Sequence, residues 1–170
     1  MLYDLLKKCV SIFFNVLNRL LGGKLPPFSS AGVVVEENGR YLVVELPHNH
    51  IVFPGGYMTW RENPQEGAAR EGREETGLTL QVEGLIGYYP LISNQWTTMS
   101  NMSFVYSARV IGGELKSSME GRALWLPEQE LRARFGEHSL RVLDDYLLYR
   151  EQSHASVAPS KSRTLLPVAS

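Results

Sequence analysis

Residues 56–78 read GYMTWRENPQEGAAREGREETGL, and this stretch decides how the rest of the chain is read. It predicts a helix with marked ends. Asn63 is a good N-cap, because its side-chain oxygen can accept a free amide of the first turn, and Pro64 follows where a missing N–H costs nothing. Glu66, three residues after the cap, is placed to reach back to it. Gly77 is a left-handed stop. Between these ends, Glu71, Glu74 and Glu75 fall within an arc of about 100° at helical spacing. Like charges at i, i+3 and i, i+4 repel by a few tenths of a kcal/mol per pair. A divalent cation reverses that sign, since carboxylate oxygens suit Mg²⁺, Mn²⁺ and Ca²⁺. The opposite face is small: Ala69, Gly72 and Thr76, with Ala68 beside them. A solvated surface helix with an ordinary Glu66–Arg70 pair explains the same pattern, and the residues alone do not separate the two readings.

The stretch resembles the Nudix box, G-x5-E-x7-R-E-U-x-E-E-x-G-U, where U is a bulky apolar residue. Gly56, Glu62, Arg70, Glu71, Glu74, Glu75, Gly77 and Leu78 match, and Gly72 stands where the family has an apolar side chain. That departure is expected to loosen the helix against its sheet. It touches no ligand position. The resemblance implies an α/β fold, specifically an α/β/α sandwich around a mixed β-sheet. It also implies Mg²⁺ (Mn²⁺ as a substitute) and hydrolysis of a P–O–P bond by water. The catalytic set it implies is Arg70, Glu71 and Glu74. Glu71 is the position most often used as general base, and Arg70 orients a neighbouring carboxylate. The implied metal set is Gly56, through its carbonyl, with Glu71, Glu74, Glu75 and a later acid, Glu120. An exposed loop acid is an equal reading of Glu120, and Glu114 is a weaker competitor. Glu62 would hold the loop against the helix.

Composition sets the outer bounds. At 170 residues, 44% hydrophobic and 21% charged, the chain suits one domain with a proper core and some appendages. A net charge of −1 gives no argument for a nucleic-acid polymer as partner. Cys9 is the only cysteine, which excludes a disulfide framework and fits a cytoplasmic protein.

Residues 1–21 form an amphipathic helix pattern ended by Gly22-Gly23. Its apolar face is broad, but Lys7, Lys8 and Arg19 interrupt it too often for a transmembrane span. Packing on its own domain or in a homodimer, peripheral membrane contact, and another protein partner all remain open. Residues 24–30 read as a linker and 31–151 as the hydrolase domain, leaving 152–170 as a disordered tail.

Within the domain, Ala31–Val35 and Tyr41–Leu46 make a hairpin around Asn38-Gly39. Ile51–Phe53, Leu78–Leu85, Met102–Val110 and Ala123–Leu126 read as further strands, with Gly87–Pro90 a break. Ser139–Arg150 reads as a closing helix. His48 and His50 read as exposed loop residues.

The box selects a nucleoside diphosphate linked to another moiety without saying which. A (deoxy)nucleoside triphosphate is the first choice, ADP-ribose or a nucleotide sugar the second. A non-enzymatic nucleotide-binding regulatory module and a tethered hydrolase of lipid-linked diphosphates are further alternatives. Trp96, Tyr88 and Tyr89 are the candidates for stacking on a base, against a reading as partly buried packing.

Overall fold

A computed structural model of the protein describes residues 2–157, apart from Asn94 and Glu120. In chain order the elements are α1 (Leu2–Leu20), β1 (Phe28–Glu37), β2 (Arg40–Leu46), β3 (His50–Val52), β4 (Gly55–Tyr57), α2 (Pro64–Thr76), β5 (Leu78–Leu91), β6 (Asn101–Gly113), β7 (Arg122–Pro127), α3 (Glu128–Arg134) and α4 (Glu137–Val157).

β1 is central. Along one edge it runs parallel to β6, from Phe28 opposite Asn101 to Val35 opposite Ala108. Its other edge is shared: residues 30–32 pair with β4, and residues 36–37 pair with β2 at the hairpin turn. β2 in turn pairs with β3 and with β7, and β5 closes the far side against β6. The result is a seven-stranded mixed sheet.

Ala31 and Val33–Val35 are all buried, and their continuous apolar run reflects cover on both faces. Alternation sorts them. Ala31, Val33 and Val35 join Leu42, Ala68, Leu78 and Leu80 in the core under α2. Val34 joins Tyr41, Val43, Ile51, Leu131, Leu143 and Tyr146 in the core under α3 and α4. One helical layer on each face of a mixed sheet is the expected α/β/α sandwich.

Several boundaries differ from expectation. β1 begins at Phe28, inside the expected linker, because pairing with Asn101–Ser103 extends it. β5 does not break at Gly87–Pro90 but runs through it to Leu91, with register shifts near Thr79, Val82 and Leu85. As an edge strand it tolerates Pro90, whose missing N–H costs no ladder bond on an open side. Gly84 leaves room there for the Tyr149 hydroxyl arriving from α4, into which a Cβ would intrude. α4 continues past residue 151 to Val157, and the remainder of the expected tail lies outside the described residues.

Gly72 does not loosen α2. Leu80 of β5 places its Cδ1 2.5 Å from where a Cβ would stand, so a side chain from the sheet fills the space. Among the described residues no helix is long and apolar enough to cross a membrane.

Candidate functional site

α2 begins and ends as its sequence dictates. Asn63 accepts the Glu66 amide at 3.0 Å and Glu66 returns the bond to the Asn63 amide at 2.9 Å, a complete capping box. Gly77, at φ 74°, donates its N–H to the Arg73 carbonyl. The helix is thereby fixed in register against the loop at residues 55–63, and the acidic side chains are presented to that loop.

Arg70 organises them. Its guanidinium clasps Glu62 in two bonds, at 3.0 and 2.6 Å, and gives a third to the Tyr57 carbonyl at 3.0 Å. Its remaining nitrogen reaches Glu71 at 2.8 Å and Glu74 at 3.0 Å. Glu62 also accepts the Thr59 amide, at 2.5 Å. These donors, the paired guanidinium above all, hold the Glu62 carboxyl at a pKa of about 2, and the same contacts raise that of Arg70. Glu62 therefore joins loop and helix.

The three helix glutamates share an arc on the backbone but not one environment. Glu75 is 6% exposed, turned to the packed side of α2, and accepts the Gly55 amide at 2.9 Å. Glu71 lies against Gly56 so closely that a Cβ there would sit 2.6 Å from its carboxylate. Glu74 is largely in solvent, with its side chain 59% exposed. Among the described residues no three His, Cys, Asp or Glu side chains converge as a ready metal cage. Arg70 draws Glu71 and Glu74 to itself, and Gly55 takes Glu75. The donor chemistry still suits a hard divalent cation, since Gly56, Glu71 and Glu75 offer oxygen only. Glu120 lies outside the described residues. Its neighbour Met119 lines the cleft described next.

That cleft, of about 990 Å³, opens beside Gly55, Gly56 and Glu75. Its floor is the sheet at Ser30, Gly32, Ser103 and Val105, and its walls include Phe53, Leu91, His138 and Ser139. None of Trp96, Tyr88 and Tyr89 lines it. Tyr89 is 2% exposed, its hydroxyl donates to Asp145 at 2.9 Å, and His138 packs edge-on against its ring. It has no ring face left for a ligand. Tyr88 is exposed but follows the opposite side of β5, on a residue paired with Phe104. Trp96 is half-exposed, and its carbonyl accepts from Asn15 of α1. Of the three, Tyr89 is thus buried packing, and Tyr88 and Trp96 stand outside the lining of this cleft. The aromatic groups at the cleft are Phe53, which packs on Phe135 with centroids 4.8 Å apart, and His138, whose pKa burial pushes down. Phe53 immediately precedes Pro54-Gly55-Gly56, which was the available signal. His138 carried none, because α4 brings it to the cleft from 60 residues beyond the box.

Comparison with known proteins follows this geometry. Residues 26–146 match the profile of the NUDIX domain. A MutT-like protein of Streptomyces ambofaciens is 37% identical over 125 residues, 70% of this chain and 78% of the relative. An ADP-ribose pyrophosphatase of Methanocaldococcus jannaschii is 25% identical over 130 residues, 74% of this chain and 76% of the relative. A NUDIX hydrolase structure from Nitrosomonas europaea superposes with a TM-score of 0.65 at 25% identity, covering 72% of this chain and 90% of that one.

Proposed function

The chain belongs to the Nudix family and is a pyrophosphohydrolase of small-molecule nucleotides, and on that premise we propose that it cleaves (deoxy)nucleoside triphosphates with Mg²⁺, releasing the monophosphate and diphosphate. The observation that carries this reading is that Gly56 and Glu75 line the cleft and the Glu71 carboxylate lies against Gly56. Enzymatic identity sets aside the non-catalytic regulatory module. A hydrolase of ADP-ribose or a nucleotide sugar is the second reading, supported by the printed activity of the Methanocaldococcus relative.

In this reading Gly56, Glu71, Glu74 and Glu75 would supply oxygen ligands, with Glu120 as a further candidate and Mn²⁺ an acceptable substitute for Mg²⁺. A divalent cation held there would neutralise phosphate charge and lower the pKa of a coordinated water. Glu71 accepts the proton of the attacking water, whose oxygen bonds to phosphorus as the bridging P–O bond breaks. Arg70 fixes the Glu71 carboxylate through one N–H while anchoring itself on Glu62. Glu75 is held by the Gly55 amide, so its orientation is set before any ligand arrives. Phe53 gives an apolar wall for a base, and His138, kept neutral by burial, offers a donor and an acceptor without charge. The single cysteine, exposed Cys9, supports a cytoplasmic location within the same proposal. A membrane surface or a second copy of the chain are the partners proposed for residues 1–21.

The test is a panel with Mg²⁺ of nucleoside triphosphates, ADP-ribose, nucleotide sugars and dinucleoside polyphosphates, scored by kcat/KM with a chelator control. A nucleoside triphosphate should rank first, and chelation should abolish turnover. A ranking led by ADP-ribose or a nucleotide sugar replaces the first reading by the second. Turnover that survives chelation overturns the metal assignment.

A further inference from the structure

We infer that α1 docks the protein on an anionic membrane surface, through an apolar face turned away from its own domain. The helix is attached by its polar edge. Asn15 donates to the carbonyls of Trp96 and Thr98, each at 3.0 Å, and Asn18 accepts the Leu25 amide at 3.0 Å. Ser11 is buried, and Phe14 packs edge-on against Phe28 of β1 with centroids 4.8 Å apart. At 100° per residue, Ser11, Asn15 and Asn18 span an arc of about 60°. Leu5, Leu6, Ile12, Phe13, Val16 and Leu20 occupy an opposite arc of about 120°, and all six are exposed. A helix that packs on a globular core ordinarily turns its apolar stripe inward. This one does the reverse, so its own domain is not the partner of that stripe.

Two observations select a bilayer. The first is charge. Four of the chain's 17 Lys and Arg residues but only one of its 18 Asp and Glu residues lie within residues 1–27. That segment carries +3 and the remainder of the chain −4. The cations Lys8 and Arg19 are exposed and lie together along one edge of the apolar arc, an arrangement suited to anionic headgroups. The second is shape. The arc is wider than the narrow seam by which two helices pair. A flat surface can engage the whole width. The helix is not apolar enough to span, so it lies in the interface plane.

The experiment is co-sedimentation of the full chain with vesicles. One set is phosphatidylcholine with roughly a third phosphatidylglycerol, the other phosphatidylcholine alone. The protein should pellet with the anionic vesicles, several-fold less with the neutral ones, and less again as salt rises from about 50 mM to about 500 mM. The double variant Phe13→Glu, Leu20→Glu should lose about tenfold or more in partitioning. Its melting temperature should not change, since both side chains are exposed. Light scattering should give a monomer for both proteins. The inference is overturned if the wild type stays in the supernatant with anionic vesicles or if the variant pellets equally. It is also overturned if the wild type is a dimer that the variant dissociates, which would assign the face to a second copy.

Discussion

Gly56→Ala is the sharpest test of the site. The added methyl would stand 2.6 Å from the Glu71 carboxylate carbon. Carbon atoms rest at about 3.5–4.0 Å, so that carboxylate must withdraw by about 1 Å. Gly56 does not adopt the left-handed conformation that favours glycine, so alanine brings no backbone strain and the effect is steric. A displacement of that size at a reacting group costs about 100-fold in rate, which corresponds to about 2.7 kcal/mol in the barrier. Stability should change little, because the chief local loss is one partly exposed bond between Arg70 and Glu71, worth about 1 kcal/mol. The assay is steady-state kcat for Gly56→Ala, Glu71→Gln and the double variant, with melting temperatures alongside. In the Glu71→Gln background, Gly56→Ala should cost far less than in the wild type, because both act on one carboxylate. Near-normal kcat in Gly56→Ala, or strictly additive losses in the double variant, would refute the reasoning.

Four further outcomes are expected. Glu75→Gln should lower kcat by two or more orders of magnitude with folding intact, the scale of losing a charge-stabilising group, as read by turnover and circular dichroism. Glu62 has its folded pKa depressed to about 2 from an ordinary 4.5. Its contribution to stability is therefore present above pH 4.5 and lost as pH falls from there toward 2. Urea unfolding of wild type against Glu62→Gln should accordingly converge across that window. Phe53→Leu should raise KM about five- to tenfold with a smaller change in kcat, the lower range of base stacking on an aromatic ring. Tyr89→Phe should instead leave KM unchanged and cost about 1 kcal/mol of stability through the lost bond to Asp145.

The layers of the fold were legible because local signals agreed with one another. Asn63, Pro64, Glu66 and Gly77 each mark an end of α2, and both ends stand where those residues put them. The valine runs of β1 and β2 and the Asn-Gly turn likewise needed no tertiary information. β5 was misread because Gly87 and Pro90 are breakers only in a paired interior, and β5 has one neighbour. The site divided in the same way. Helical spacing put Glu71, Glu74 and Glu75 on one arc, but spacing cannot say where side chains end. Arg70 and the Gly55 amide decide that. The cleft lining was the least legible part, since Ser103, His138 and Ser139 come from distant segments that carry no motif. Aromatic residues drew attention by their type, and Tyr89 shows why type is insufficient: a buried hydroxyl with a carboxylate partner is structural.

Gly72 has a consequence for how such chains are found and altered. Positions 72 and 80 draw on a single volume, which one box column and one strand residue divide between them. A pattern scored column by column records a deficit at 72, although the missing methyls are supplied eight residues later. Restoring a bulky residue at 72 would therefore crowd the helix unless Leu80 is shortened at the same time. The two sites should be exchanged as a pair, each substitution harmful alone and tolerated in company.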